Sequence, residues 1–170
     1  MQMSKFEDAL RQIKDTHFDI DLLFEEAYCL YRLNKPELAL ETLENNGKRN
    51  KNSDRVKELK AQVYYRLEMY QESYDQYKDL LKNTSDDFEL ERLTNMQAAG
   101  VFVQSAPVTT DEDESYEMCY NKACQLLARE DWVNAEKVMF CFINIVYFSF
   151  IVFALLQNHD LPPLDCLGIS

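Results

Sequence analysis

The side chains of this chain that are best suited to chemistry are tyrosine and arginine residues that recur at a fixed spacing. The segment Tyr31-Arg32-Leu33 returns as Tyr65-Arg66-Leu67, 34 residues later. Tyrosine and arginine are enriched at the energetic centres of protein interfaces, because each combines a large contact area with hydrogen-bond donors. The chemistry that this pattern predicts is non-covalent recognition of another polypeptide.

Residues for catalysis or metal binding show no comparable pattern. His17 and His159 are the only histidines, and the 5 cysteines contain no CxxC motif. This inventory fits neither a zinc site nor a disulfide framework, and the reduced thiols of a cytosolic protein explain it more simply. The sequence contains no recognisable nucleophile-base motif and no glycine-rich phosphate loop. We therefore expect a non-enzymatic protein with no catalytic residues, no metal site and no cofactor.

The 34-residue period is that of a tetratricopeptide repeat, in which two helices form a hairpin that stacks on its copies. Such a hairpin needs a small side chain on each helix at the point where the two backbones approach closely. Three pairs of small residues lie twelve positions apart and meet this need: Ala27 with Ala39, Ala61 with Ser73, and Ala123 with Ala135.

The expected fold is all-α, with helical hairpins stacked as a short right-handed solenoid and a hydrophobic helix near the C-terminal end. Only 3 glycines and 4 prolines interrupt the chain, and no segment alternates polar and apolar residues over the length of a strand. The tetratricopeptide-repeat domain is predicted over residues 1–137. Its predicted parts are a partial repeat at 4–18 with Ser4 as helix cap, repeats at 20–46 and 54–82 with Ser53 capping the second, an extra helix at 86–104, an acidic linker at 106–115 and a further repeat from 116.

The first helices of stacked hairpins line a concave groove, which is the surface that repeat proteins of this type use for binding. We expect Tyr28, Tyr31 and Tyr65 to bury apolar groups of a partner. Arg32 and Arg66 are expected to hold its carboxylates or carbonyls. The alternative is that the recurring tyrosines only pack between repeats and that the arginines are only solvated. The full set of predicted groove residues is Phe24, Tyr28, Tyr31, Arg32, Glu58, Gln62, Tyr65 and Arg66.

The charge balance of the chain is strongly acidic. The formal net charge is −12, from 18 Lys and Arg against 30 Asp and Glu. A surface of this kind repels nucleic acid and favours basic partners. One basic cluster either contacts RNA phosphates or, as we favour, lies in a solvated loop between repeats. It consists of Lys48, Arg49, Lys51, Arg55, Lys57 and Lys60.

A segment without charged residues runs from 138 to 159 and is followed by a short tail at 160–170. Its first part, residues 138–156, is predominantly apolar and long enough to span a bilayer. Three interpretations are open: a membrane span, an aberrant C-terminus such as translated intron sequence, or a buried helix. We favour the second, because the repeat pattern is lost in the middle of a helix.

Five segments carry a more specific resemblance: Phe24–Asn34, Leu59–Tyr70, Asp86-Asp87, Glu91–Asn95 and Glu117–Cys124. In sequence and order they resemble the family of seventy-two-kilodalton subunits of the signal recognition particle. The likeness includes the irregular helix and the linker between repeats, so it is more specific than a general repeat match. The chain is similar to a truncated form of such a subunit with a divergent C-terminus.

The resemblance covers roughly residues 4–137 and implies a partner, a location and a role. It implies that the groove binds the sixty-eight-kilodalton subunit of the particle. It also implies a cytoplasmic protein that reaches the endoplasmic reticulum through the particle, which directs ribosomes making secretory proteins there. Binding of the particle's 7S RNA is implied only for a basic C-terminal region outside the repeats, which this sequence lacks. The alternative function is a tail-anchored membrane adaptor that spans the bilayer through 138–156 and presents its repeats to the cytosol.

Overall fold

Helices, joined by turns and loops, make up the regular secondary structure of the part of the chain that the structure describes, and no strand occurs there. This confirms the expected all-α class. The computed structural model describes residues 2–15, 22–45, 53–108, 115–140 and 143. The chain divides into two compact units, Met1–Pro107 and Val108–Ser170. The helices are α1 (Gln2–Asp15), α2 (Leu23–Arg32), α3 (Pro36–Asn45), α4 (Asp54–Arg66), α5 (Tyr70–Asn83), α6 (Glu89–Gly100), α7 (Tyr116–Ala128) and α8 (132–140).

In the first unit each helix packs against the next one along the chain, from α1 to α6, and α2 also touches α4. Helical periodicity explains the contacts, because Leu23, Ala27 and Leu30 lie on one buried face of α2. Burying one leucine side chain stabilises the fold by about 1.5–3 kcal/mol. The core between α2, α3 and α4 consists of Leu23, Ala27, Leu30, Ala39, Leu43, Val56, Leu59 and Val63.

The paired small residues lie where the helices approach most closely. Ala27, Ala39, Ala61 and Ser73 have no solvent-exposed surface. The hydroxyl of Ser73 on α5 donates a hydrogen bond of 2.9 Å to the backbone carbonyl of Ala61 on α4. A larger side chain at either position would hold the two backbones apart, so the predicted role of the twelve-residue spacing is confirmed for this hairpin.

The hairpins α2–α3, α4–α5 and α7–α8 close through the same backbone turn. Its left-handed residue is Asn34, Glu68 or Glu130, with φ of 58°, 61° and 62°. The next amide in each turn donates to a carbonyl five residues earlier, which is the bond of a Schellman motif. These bonds, each of 3.0 Å, are Lys35 N to Leu30 O, Met69 N to Tyr64 O and Asp131 N to Leu126 O.

The helix starts agree with the sequence at one predicted cap and differ at another. Ser53 caps α4, because its side-chain oxygen accepts a hydrogen bond from the amide of Val56, as predicted. The prediction that Ser4 caps a helix is wrong, since α1 already begins at Gln2. Glutamine and methionine are good helix formers, and the helix therefore extends upstream of the serine.

The extra helix α6 is shorter than the predicted range 86–104 and ends at Gly100. Glycine disfavours continuation of a helix, which accounts for the early end. Residues 101–108 contain turns and no helix. They fold back on the unit, where Val103 and Ala106 are buried against Tyr74 of α5 and Ala99 of α6.

The second unit contains a further pair of helices, α7 and α8. Ser115 caps α7 by accepting a hydrogen bond from the amide of Met118. Ala123 and Ala135 are both buried, as the spacing predicts.

Of the hydrophobic segment predicted at 138–159, the structure describes 138–140 and 143. The rest of that segment, the tail at 160–170 and residues 109–114 of the acidic linker lie outside the described residues. None of the described helices combines the length and the apolar character that crossing a bilayer requires.

Candidate protein-binding groove

Helices α2, α4 and α6 line two cavities in the first unit. The first, which we call the acidic cavity, has a volume of about 500 Å³ and is lined by Phe24, Tyr28, Asp54, Arg55, Glu58, Leu59, Gln62, Asp86, Phe88, Glu91 and Arg92. The second, the tyrosine cavity, has a volume of about 490 Å³ and is lined by Tyr31, Gln62, Tyr65, Arg66, Tyr77, Glu91, Asn95 and Ala98.

The two cavities adjoin and form one groove along the three helices. Gln62 and Glu91 line both of them. The acidic cavity lies at the N-terminal ends of α2, α4 and α6, and the tyrosine cavity lies towards their C-terminal ends. A concave surface with apolar walls and a few polar groups is the usual form of a binding site.

The structure brings seven of the eight predicted groove residues to this surface. Phe24, Tyr28, Glu58 and Gln62 line the acidic cavity, while Tyr31, Tyr65 and Arg66 line the tyrosine cavity together with Gln62.

Arg32 is the predicted groove residue that lines neither cavity. Its guanidinium donates a hydrogen bond of 2.8 Å to the hydroxyl of Tyr28 and lies 4.8 Å from the ring centre of Phe6 on α1. The side chain therefore holds Tyr28 in place without lining either cavity.

Two further arginines cover aromatic rings across neighbouring helices. The guanidinium of Arg66 on α4 lies 4.7 Å from the ring centre of Tyr31 on α2 and donates to the side-chain oxygen of Asn34. Arg55 on α4 lies 4.2 Å from the ring centre of Phe24 on α2. Each such cation–π contact is worth about 0.5–1 kcal/mol at an exposed site. Tyr31 thus packs between repeats and also faces the groove.

Arg92 is the important groove residue that the sequence reasoning missed. Its side chain is 4% exposed, and its guanidinium binds Asp86 at 2.9 Å and Glu58 at 3.4 Å. It also donates to the hydroxyl of Thr84 at 3.0 Å. These bonds join α4 to α6 at the wall of the acidic cavity. A signal for this pairing was present in the sequence, because Glu58 and Arg92 are separated by 34 residues, which is one repeat length.

The two cavities differ in the charge state of a group in each: Asp86 in the acidic cavity and Tyr77 in the tyrosine cavity. The hydrogen bond from Arg92 holds the pKa of Asp86 below its ordinary value, with a smaller contribution from the amide of Phe88, so this carboxyl stays ionised at neutral pH. In the tyrosine cavity burial raises the pKa of Tyr77, and the nearby Glu58 raises it further. The Tyr77 hydroxyl, which is hydrogen-bonded to Asn95, therefore stays neutral at any physiological pH.

The residue types of the groove are suited to binding. Its walls combine aromatic rings with amides and paired charges, and neither cavity is lined by histidine or cysteine. Within residues 2–15, 22–45, 53–108 and 115–140, no group of three or more His, Cys, Asp or Glu side chains has a metal-binding arrangement.

The first hundred residues match a protein-family model. The family is described as a putative tetratricopeptide-like repeat of the signal recognition particle, and the match covers residues 1–100.

Curated relatives extend the match beyond the family model. The chain is 40% identical over 149 residues to signal recognition particle subunit SRP72 of Canis lupus familiaris and equally so to that of Homo sapiens, in each case over 82% of this chain and 22% of the relative. It is 38% identical over 131 residues to SRP72 of Caenorhabditis elegans, over 73% of this chain and 20% of the relative. The chain thus spans about a fifth of the length of the relatives it matches.

Proposed function

Because the chain belongs to the tetratricopeptide-like repeat family of signal recognition particle subunit SRP72, we propose that it is a non-enzymatic scaffold of that particle. Its groove binds a segment of the sixty-eight-kilodalton subunit. The relatives are named as subunits of the particle, and a subunit needs a surface that holds it in the assembly. Within the particle the chain supports targeting of secretory proteins to the endoplasmic reticulum.

The proposed architecture of the first unit is a short right-handed solenoid of hairpins. The observation that supports it is the succession of contacts in which every helix from α1 to α6 packs on the next. In such a stack the first helix of each hairpin faces one side. Helices α2, α4 and α6 then form the concave surface, which agrees with their lining of both cavities.

The continuous pair of cavities is the single observation that carries the proposed binding role. A partner segment buries apolar side chains against Tyr28, Tyr31 and Tyr65. Tyr65 is 39% exposed and is therefore accessible to a partner. Each fully buried apolar side chain contributes about 1.5–3 kcal/mol. Several such anchors are needed, because association costs about 4–15 kcal/mol in lost freedom of motion.

The arginines have different roles in the proposed complex. Arg66 is exposed at the edge of the tyrosine cavity and offers its remaining N–H groups to carbonyls of the partner. Arg32 acts indirectly, since its hydrogen bond orients the ring of Tyr28.

The family to which the chain belongs is also the basis for what we propose about its location and its relation to RNA. The chain works in the cytoplasm and reaches the endoplasmic reticulum through the particle. Contact with the particle's RNA belongs to a basic region of the family outside the repeats. The acidic net charge of −12 agrees with a chain that does not itself bind RNA.

A capture assay with the purified sixty-eight-kilodalton subunit tests this function. The full chain is immobilised and compared with the double variant Tyr31→Ala plus Tyr65→Ala. The control is Tyr116→Ala plus Tyr120→Ala, which removes two exposed tyrosines of the second unit. We expect the first variant to bind at least tenfold more weakly and the control to bind like the wild type. Failure of the wild-type chain to capture the subunit contradicts the proposal.

A further inference from the structure

We infer that the segment held in the groove is basic and amphipathic, with a lysine or arginine side chain in the acidic cavity and an apolar side chain in the tyrosine cavity. This inference rests on the proposed function and specifies the chemistry of the partner segment. It follows from the charges, the aromatic walls and the spacing of the two cavities.

The charge of the acidic cavity is negative. Two arginines line it, and both are already engaged by the chain itself. Arg92 is held by Glu58 and Asp86, and Arg55 lies over the ring of Phe24. The four carboxylates that line the same cavity are Asp54, Glu58, Asp86 and Glu91. They outnumber the two arginines, so a cationic side chain is attracted and an anionic one is repelled.

Two of these carboxylates remain accessible to a partner. Asp54 and Glu91 are exposed. In the described part of the chain neither forms an ion pair with a basic side chain. Asp54 lies in the first turn of α4, and Glu91 lies in the first turn of α6. They belong to different helices that line one cavity, so a basic side chain that enters the cavity is attracted by both.

The walls of the acidic cavity suit a long basic side chain. The rings of Phe24 and Tyr28 are stacked, with centres 6.1 Å apart and planes at 11°. Phe88 at the start of α6 is 58% exposed beside them. Lysine and arginine bury their methylene stems against apolar surface while the charged end remains near carboxylates, and the exposed ring of Phe88 adds cation–π attraction.

The tyrosine cavity has a different character and therefore selects a different side chain. One carboxylate and one guanidinium line it, those of Glu91 and Arg66, so its formal charges cancel. Its other polar groups include the neutral hydroxyl of Tyr77, which is bonded to Asn95. An apolar or aromatic side chain of the partner fits this lining without leaving a buried charge unpaired.

The spacing of the two cavities sets the spacing of the partner's anchors. Phe24 and Tyr31 on α2 line different cavities and are seven residues apart, as are Glu58 and Tyr65 on α4. With a helical rise of about 1.5 Å per residue the anchors are separated by about 10 Å. A helical partner covers this distance in two turns.

Salt-dependent binding to the purified sixty-eight-kilodalton subunit tests the inference. The full 170-residue chain, kept in a nonionic detergent, is compared with the double variant Asp54→Asn plus Glu91→Gln. The control is Glu37→Gln plus Glu72→Gln, which changes net charge equally at exposed positions outside both cavities. We expect the first variant to bind about five- to tenfold more weakly at low salt and to lose most of the salt dependence of the Kd. The control should retain the wild-type affinity and salt dependence.

Two designed helical peptides separate failure of the inference from failure of the proposed function. One carries lysine and leucine two turns apart, and the other carries glutamate in place of lysine. Preference for the lysine peptide that is lost in Asp54→Asn plus Glu91→Gln supports the inference, even if the subunit does not bind and the proposed function fails. Subunit binding that is unchanged in the variant, or equal affinity for the two peptides, overturns the inference and leaves the proposed function standing. Binding of neither the subunit nor the lysine peptide overturns both.

Discussion

Arg66 and Arg92 both line the groove, but Arg66 is exposed whereas the side chain of Arg92 is 4% exposed and held by two carboxylates. Arg66 recurs with Tyr65 one period after Tyr31-Arg32, and this repetition marks it. For Arg92 the sequence offers only its position one repeat length after Glu58, and its burial depends on Glu58 of α4 and Asp86 of the loop before α6 being brought together. Arginine is rarely buried unless it is paired, so composition alone argues against placing it in a core. The pairing is a property of the tertiary structure.

The buried position of Arg92 predicts a large loss of stability in Arg92→Met. Methionine fills much of the same volume, but Glu58 and Asp86 lose their partner in a partly desolvated site. Removing one member of a buried ion pair is costly, and the exposure of the two carboxylates reduces the loss to about 2 kcal/mol. Urea unfolding of the full chain measures it.

The matched control for that experiment is Arg11→Met on α1. Arg11 is 75% exposed and its contact with Asp8 is 3.9 Å long. Exposed substitutions of this kind change the free energy of unfolding by about 0.5 kcal/mol or less. Equal losses in the two variants would show that the network around Arg92 does not stabilise the unit.

The lowered pKa of Asp86 predicts how stability depends on pH. The hydrogen bond from Arg92 is the main cause of the shift. A carboxyl whose pKa is lower in the folded state stabilises the fold above its unfolded pKa, which is about 3.9. That stability is lost as the pH falls through the folded pKa. In Asp86→Asn the free energy of unfolding should therefore decline less steeply below about pH 4 than in the wild type.

Unfolding in urea at a series of pH values checks this expectation. The control is Asp86→Asn combined with Arg92→Met, whose slope should differ from that of Arg92→Met alone by less than Asp86→Asn differs from the wild type, because only the weaker bond from the Phe88 amide then remains to the carboxyl. Parallel curves for the wild type and Asp86→Asn would refute the assignment.

At the scale of elements, the helices could be predicted, whereas the left-handed conformation shared by the turns between them could not. Apolar periodicity and the Ser53 cap indicated where α2 and α4 lie. The sequence does not indicate the left-handed conformation of the shared turn, because that position holds Asn34 in one hairpin and glutamate in two others. The usual signal for this conformation is glycine. The close packing of the two helices in each hairpin imposes the turn on whichever residue is present.

The left-handed conformation of Glu68 predicts that Glu68→Gly stabilises the fold. The left-handed conformation destabilises a residue that has a Cβ atom by about 1–2 kcal/mol, and glycine removes this strain. Glycine also makes the unfolded chain more flexible, which offsets part of the stabilisation. We expect a net increase of about 0.5–1 kcal/mol in the free energy of unfolding, measured in urea. The control Glu72→Gly, in the first turn of α5, should instead lower the free energy of unfolding, because glycine is a poor helix former and the favourable charge at the helix N-terminus is lost. The same change at both sites would contradict the explanation.

At the scale of the whole chain, the all-α class and the repeat pattern were predictable, but the structure after α6 was not. The sequence showed that no second helix follows, because proline and acidic residues lie there. It did not show that Val103 and Ala106 return to the core beside Tyr74. Burial of two isolated apolar residues in a turn has no periodicity, so no pattern reports it.

The hydrophobic segment at 138–159 predicts the solution behaviour of the chain. It contains no charged residue, and a predominantly apolar sequence of that length promotes association. We expect residues 1–137 to be soluble and helical without detergent and the full chain to need detergent. Sedimentation and circular dichroism of both proteins test this. Full solubility of both as monomers would contradict it.

The common turn of the hairpins affects how the amino acids of the groove can change. Asn34, Glu68 and Glu130 share φ values of 58°, 61° and 62° although asparagine and glutamate differ, so this turn does not require one particular residue type. Natural drift or laboratory selection can therefore change groove residues outside the small, closely packed positions while the turns that join the helices are kept.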